Sequence, residues 1–523
     1  MYYNMKKVIL TISAFALLAG AHSQTVYDVN RFISKDLNGT ARFVGMGGAM
    51  GALGGDISTI GTNPAGIGIY RSSDVMFSFG FNRTNAESKS NTATISAGKT
   101  VGSFDNAGFV YSSKVGNKTA LRYVNFGFNY HKSKSFNKQM VMGGYLGEGV
   151  SQTNQMASMA KGLHPNDLTN RGAWSDHNVG WLSILGQRGN LMQYDEQKKE
   201  FYGFPSSTEP YGDYESVEKG GINQYDFNLS FNFNDRFYLG LTVGAYDVDY
   251  SRNSWYREGF DYINDYDNSF YTLENWFSTT GAGVDFKLGA IVRPFADSPF
   301  RIGAAFHTPT FYNLKDYHSA MLKSDIDLNH DGNITPNEQF DVDTYDEIGD
   351  ALNEYKLITP WKFNFSLGHT IGTNIALGAE YEYTDYSKAR LEDYNGRRMG
   401  FENEEIGYCL QGAHAIRLGL EYKPIPEFAM RLGYNHLTPS IKNDSFKNLP
   451  GNSIRTDTEY GNIKSTNNFT VGMGYRGRMF YADLAYQYKA YKEDFYAFDN
   501  LDLTATNINN DRHQLLMTLG IRF

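Results

Sequence analysis

The sequence predicts an all-β fold, a 14-stranded antiparallel transmembrane β-barrel with an N-terminal plug, or hatch. Three observations predict it: apolar and polar residues alternate with period two, the chain opens on an export signal, and its connections alternate between short and long. In Tyr225-Asp226-Phe227-Asn228-Leu229-Ser230-Phe231-Asn232-Phe233 every odd position is apolar and every even one polar, so a strand here has one greasy and one wet face. The pattern returns at Phe363/Phe365/Leu367, Ile375/Leu377/Ala379/Tyr381/Tyr383, Ile416/Leu418/Leu420/Tyr422, Val471/Met473/Tyr475, Phe480/Ala482/Leu484/Tyr486/Tyr488 and Leu515/Met517/Leu519/Ile521/Phe523. Asp226, Lys362, Glu380, Glu382, Arg417, Glu421, Asp483 and Arg522 occupy the opposite faces. A soluble sandwich would turn the greasy face inward. An outer-membrane barrel turns it to lipid and gives the charges to the lumen. Export, a final alternating strand ending in Phe523 and the rhythm of the connections select the barrel.

The strand segments are 73–82, 104–113, 121–132, 222–233, 236–250, 281–293, 299–311, 358–370, 374–386, 411–423, 427–437, 465–476, 479–491 and 512–523. Short turns at 114–120, 234–235, 294–298, 371–373, 424–426 and 477–478 each precede, one strand later, a connection of about 20 residues or more. Short turns at one end, long loops at the other and an even strand number are the habit of outer-membrane barrels. A weaker alternating segment lies near 137–146.

Export is read from residues 1–23. Lys6 and Lys7 precede the apolar run Val8 to Leu18, and Ala21-His22-Ser23 places small residues for cleavage before Gln24. The run is too short for a membrane helix, and no cysteine near the cleavage point offers a lipid anchor. The expected divisions are a signal peptide at 1–23, a hatch at 24–72 and the barrel at 73–523.

Composition narrows the function. A net charge of −9 leaves no basic stripe for nucleic acid. The single Cys409 excludes an internal disulfide framework and any multi-cysteine metal site. HExxH, GxSxG and a Walker loop are all missing, so no enzyme is expected.

Before the first strand lie Ala41-Arg42-Phe43-Val44-Gly45-Met46-Gly47-Gly48-Ala49 and Asp56-Ile57-Ser58-Thr59-Ile60-Gly61-Thr62-Asn63-Pro64-Ala65-Gly66. Glycines at this density permit the tight backbone packing of a plug. With Leu288 to Pro294 and Arg301 to Pro309, these stretches resemble the FadL-type outer-membrane transporters of long-chain fatty acids and other hydrophobic compounds. The resemblance implies a hatch inside a fourteen-stranded barrel, capture of an apolar ligand by outer loops, and sideways exit through a gap at a distorted strand. It places a gating role on Asn63, Pro64 and Ala65, which also read as a plain turn because Asn before Pro resists helix.

Trp174, Trp181, Trp255 and Trp276 fall in the second and third long connections, with Leu182, Ile184, Leu185, Leu191 and Met192 near the first pair. They read as a landing groove for the ligand or as the private core of a large loop. In the fourth, Asp327-Leu328-Asn329-His330-Asp331-Gly332-Asn333-Ile334-Thr335-Pro336-Asn337-Glu338 fits the EF-hand loop pattern at every fixed place. Oxygens of Asp327, Asn329, Asp331, Asn333, Thr335 and Glu338 would hold Ca2+ and stiffen the loop. No other cofactor is expected.

The leading expectation is passive uptake of long-chain fatty acids or other hydrophobic compounds across the outer membrane, with membrane lipid and the ligand as partners. Two alternatives stay open: a protein-handling barrel resembling the type IX secretion shuttle component, whose partner is a secreted client protein, and haem uptake.

Overall fold

A computed structural model describes residues 23–203, 210–260 and 268–523. The expected signal peptide lies outside them, except for its last residue, Ser23. The architecture is a closed 14-strand antiparallel barrel with a plugged interior. Its passes are β1 (Asp74–Lys89), β2 (Thr94–Lys114), β3 (Leu121–Ser135, continued by Lys138–Tyr145), β4 (Tyr211–Phe233), β5 (Phe237–Gly259), β6 (Phe270–Val292) and β7 (Arg301–His307 with Phe311–Asp325). They continue as β8 (Ala351–Ile358 with Lys362–Ile371), β9 (Ile375–Asp385, extended by Arg390–Asp393), β10 (Gly412–Ile425), β11 (Phe428–Leu437), β12 (Tyr460–Arg476), β13 (Phe480–Tyr496) and β14 (Thr506–Arg522). Each pairs with its neighbour, and β1 pairs with β14 from Asp74↔Arg522 to Lys89↔Asn507, which closes the ring. Closure removes the unpaired edges that lipid could not satisfy.

The faces settle which way the alternation points. Val75, Phe77, Phe79 and Phe81 on β1, with Phe227, Leu241, Phe365, Leu432 and Val471 elsewhere around the ring, are exposed, Phe81 at 63 %. The partners on the opposite face are buried: Asp226, Lys287, Glu380, Glu421, Arg431 and Asp483. An apolar outer belt over a charged interior is a barrel built for lipid. Many of the interior charges on the strands are paired. Lys287 meets Asp226 at 2.6 Å and Asp285 at 3.2 Å, Lys362 meets Glu382 at 3.0 Å, and Arg431 bridges Glu421 at 2.7 Å and Asp483 at 2.5 Å. Breaking one member of such a pair costs several kcal/mol, about 3–5, because the other stays buried and uncompensated.

The strands run further than the alternation indicates. β1 and β2 continue to a tight turn at 90–93, with Lys89↔Thr94 as the last pair, where a long connection was expected. Likewise β4 begins at Tyr211, β5 ends at Gly259 and β6 starts at Phe270. The reason is physical: beyond the lipid belt the outer face carries Arg83, Asn85 and Glu87, so the hydrophobic alternation fades while the backbone ladder persists. The weak segment near 137–146 is the continuation of β3.

Candidate functional site: the plug and the seam it covers

Residues 24–70 fold inside the ring. Helix α1 (Val26–Ile33) starts at Thr25, whose N–H and hydroxyl both donate to Asp28 Oδ2, at 2.9 and 2.8 Å. Its Val26, Val29, Phe32 and Ile33 are buried against Phe136, Tyr250, Phe277 and Tyr460. Helix α2 (Ala41–Gly45) is capped by Thr40, whose hydroxyl accepts from Phe43 N–H and donates to the Asp56 carboxylate. Arg42 then reaches the wall, with Nε 2.9 Å from Glu421 Oε2 on β10, and donates to the Gly55 carbonyl. The arginine and aspartate of the two recognisable plug motifs are therefore buckles, one to the barrel and one within the plug.

Where the plug backbone meets the wall, the wall is glycine. Gly240 on β5 and Gly289 on β6 are register partners; a Cβ on them would lie 2.3 Å from Pro64 C and 2.1 Å from Asn63 Oδ1. Further along the wall Gly368, Gly378, Gly419 and Gly433 pair in one row across β8 to β11, facing Met46 to Leu53. Asn63 is fully buried: its Nδ2 donates to the Ala290 carbonyl at 3.2 Å and its Oδ1 accepts from Ala65 N–H. The Pro64 carbonyl accepts from Ser230 Oγ at 2.9 Å and Asn228 Nδ2 at 3.3 Å. The structure thus seats Asn63, Pro64 and Ala65 together as the capped start of a 3-10 helix, Pro64–Ile69, pressed onto β4, β5 and β6.

Among the described residues the ring has one long seam. β2 and β3 are laddered from Lys114↔Tyr123 up to Asn106↔His131 and then part. Both strands are irregular there: Asp105 is an extra residue opposite Ser78/Phe79 of β1, and the β3–β4 register slips between Lys132 and Lys134. Such bulges bend a strand and stop its pairing. Past Phe136 the continuation of β3 stays paired to β4, while the β1–β2 hairpin meets it through side contacts such as Ser90 Oγ to the Gly143 carbonyl.

The plug covers the seam. Asp36 N–H donates to the Ser133 carbonyl at 2.9 Å, Ser135 N–H donates to Asp36 Oδ2 at 3.1 Å, and Asn38 Nδ2 donates to the Lys132 carbonyl at 3.0 Å and Asp105 Oδ1 at 2.9 Å. Lys489 and Arg512 grip the Asp36 carboxylate at 2.7 and 2.9 Å. Burial by itself would raise its pKa; the charges of Lys489, Arg512 and Lys134 overcome that and hold it far below the carboxylate range. Nothing in the sequence singles out this stretch; only the pairing of a short polar segment with the freed edge of β3 reveals it.

Above the plug lies a cavity of about 330 Å³ lined by Arg31, Lys35, Asp36, Lys134, Lys489 and Arg512 among others. Lys35 donates to Tyr246 OH at 2.9 Å, and burial pulls its pKa down to about 7. At the long-loop end, Asp28 is tied to Arg455 at 3.3 Å, and Asp457 collects Arg455, Lys447 and Arg252. Burial raises the Asp28 pKa, but Arg455 and Arg31 outweigh it and set it at about 2.

The tryptophans divide. Trp174 and Trp181 are buried with their rings 5.6 Å apart, packed with Met156, Leu168, Leu182 and Leu185 in the apolar core of a cap folded from the outer loops. Trp255 and Trp276 are not in loops: they stand on the outer face of β5 and β6, opposite Glu274 and Asn253. The extended strands absorbed the segments where loops were expected. In the 327–338 loop Asp327 and Glu338 are buried. Asp327 accepts from the N–H groups of Asp331 and Gly332, Asn329 from Asp331, Asp331 from Asn333, and Glu338 from Leu328, Asn329 and Thr335. Among the described residues no group of three His, Cys, Asp or Glu side chains is gathered closely enough to hold a metal. Cys409 is buried and free, its thiol pushed up to about 12 by that burial.

Two solved structures share this architecture over nearly their whole length. A FadL homologue from Pseudomonas aeruginosa matches with a TM-score of 0.51 at 14 % identity, over 93 % of this chain and 99 % of its own. The fold is that of the FadL-type barrels. A deletion variant of the monoaromatic hydrocarbon channel TodX gives 0.51 at 12 % identity, over 93 % of this chain and 100 % of its own. No protein-family model and no curated protein matches the sequence. At such identities the likeness concerns the FadL-type fold, and function rests on the geometry of the plug and seam.

Proposed function

We propose that this chain is an outer-membrane channel for passive uptake of hydrophobic compounds, and that its ligands are amphiphiles with an acidic head, such as long-chain fatty acids. One observation carries the reading: beside the plug the barrel holds a cavity of about 330 Å³, next to the long seam between β2 and β3. A ligand admitted from the long-loop end would reach that cavity and leave at the seam. Supporting the finer statement, nine Lys and Arg side chains, Arg31, Lys35, Lys134, Lys489 and Arg512 among them, line the cavity against six Asp and Glu, a net positive setting for a carboxylate. The FadL homologue and the TodX hydrocarbon channel share the fold, which supports the coarser one. Asn63, Pro64 and Ala65 would serve as the plug's fixed foot, and Trp174 and Trp181 as part of the cap the ligand must pass.

Solvent extraction and mass spectrometry of the purified barrel, beside an unrelated barrel in the same detergent, test this. The expected result is a specific amphiphilic acid enriched in this protein. Recovery of only bulk lipid and detergent from both would count against it.

A further inference from the structure

Two cations hold one carboxylate at the seam, and a third lines the same cavity. Asp36 Oδ1 is 2.7 Å from Lys489 Nζ, and Oδ2 is 2.9 Å from Arg512 and accepts from Ser135 N–H at 3.1 Å. Lys134, the third, has no carboxylate within ion-pair distance among the described residues; its Nζ donates to the Arg31 carbonyl at 2.6 Å and to Ser34 Oγ. All four side chains line the cavity. Arg512 also donates to Asn82 Oδ1, Asn82 Nδ2 to Ser103 Oγ and Ser103 Oγ to Asp105 Oδ2 at 2.6 Å, and Asp105 holds Asn38. The grip on Asp36 is thus joined, bond by bond, to the bulge where β2 leaves β3.

We propose that Lys134, Lys489 and Arg512 form a head-group site for an anionic amphiphile, filled in this structure by the plug's own Asp36, and that a ligand carboxylate exchanges with Asp36 and frees the plug from the edge of β3. This rests on the uptake reading above. The donors that hold Asp36 are those any carboxylate would use, and charge-assisted hydrogen bonds are strong enough to decide the exchange. Lys134 offers the newcomer a first contact before Asp36 leaves. Once Asp36 moves, its N–H no longer covers the Ser133 carbonyl, and the Ser135 amide is exposed to the cavity. The ligand would therefore open the route it needs, while the empty channel stays sealed by an internal mimic of its cargo.

Binding of hexadecanoate and of hexadecanol to the purified full-length barrel tests the exchange. Hexadecanoate should bind about tenfold or more tightly than hexadecanol, the worth of one charge-assisted contact. Asp36→Asn should strengthen hexadecanoate several-fold with hexadecanol unchanged, and Lys489→Gln with Arg512→Gln should bring hexadecanoate down to the alcohol. On the unsubstituted chain, saturating hexadecanoate should speed amide exchange at 34–38 and 132–135. Unchanged binding in Asp36→Asn or exchange untouched by hexadecanoate would each overturn the exchange and leave the uptake reading standing; equal binding of the two compounds would overturn the exchange and the acidic-head preference and leave only uptake of hydrophobic compounds. Absence of binding by either compound would overturn both.

Discussion

Gly289 illustrates how much of the plug's placement depends on single atoms that are missing. An added Cβ would sit 2.1 Å from Asn63 Oδ1 and 2.8 Å from Pro64 Cδ, so no rotamer relieves it. Gly289→Val should therefore push the Asn63–Ala65 turn off the wall, at a cost of about 1–3 kcal/mol as in other overpacked sites. Asn63→Ala should do less, removing the hydrogen bond to the Ala290 carbonyl and the cap on Ala65 N–H without forcing the backbone off the wall. The expected outcome is a barrel that still assembles, with higher ion conductance in planar bilayers for Gly289→Val than for Asn63→Ala. Conductance unchanged in both would show that the turn does not hold the plug in place. At this scale the sequence was partly legible. Asn63, Pro64 and Ala65 stand out as a turn, and in the structure Asn63 caps a 3-10 helix, Pro64–Ile69, that Pro64 and Ala65 begin. The Asp36–Asn38 segment carries no signature, because its importance comes from four strands, β2, β3, β13 and β14, and a plug that meet only in the fold. The tryptophans mislead for a related reason: indole rings look alike in sequence whether they line a core, as Trp174 and Trp181 do, or stand on an outer wall, as Trp255 and Trp276 do.

Elements were easier to read than their ends. Lipid forces alternation, so every pass was visible where its outer face is apolar, as at Phe227/Leu229 on β4 or Leu515 on β14. Beyond the lipid that pressure disappears, and Tyr211 to Gly221 on β4 is a strand with Glu215 and Lys219 among its residues and no readable period. The 327–338 loop is the opposite case, a motif complete in sequence whose chemistry needs its own test. Its carboxylates already accept backbone N–H groups, an arrangement that pre-shapes the turn, with Gly332 at φ +80°. Calcium at about 0.1–1 mM, the range of extracellular modules, should slow proteolysis of this loop, and Asp327→Ala with Glu338→Ala should erase the effect. Cleavage at the same rate with and without calcium would leave the loop as a set of Asx turns and nothing more.

The whole molecule is a ring whose weakest stretch is covered by its own N-terminal segment. The interior pairs around Asp226, Glu382, Glu421 and Asp483 brace the wall, the glycine row lets the plug lie flush, and the cap closes the long-loop end. The cavity beside the β2–β3 seam is where the proposal places the ligand. The most direct measurement is uptake of labelled hexadecanoate by Gram-negative cells that lack their own fatty-acid channel and express this chain. Uptake well above the empty-vector level, and reduced in Lys489→Gln/Arg512→Gln at equal barrel abundance, is the result predicted here. A barrel assembled in the outer membrane with uptake no higher than the empty vector would contradict it.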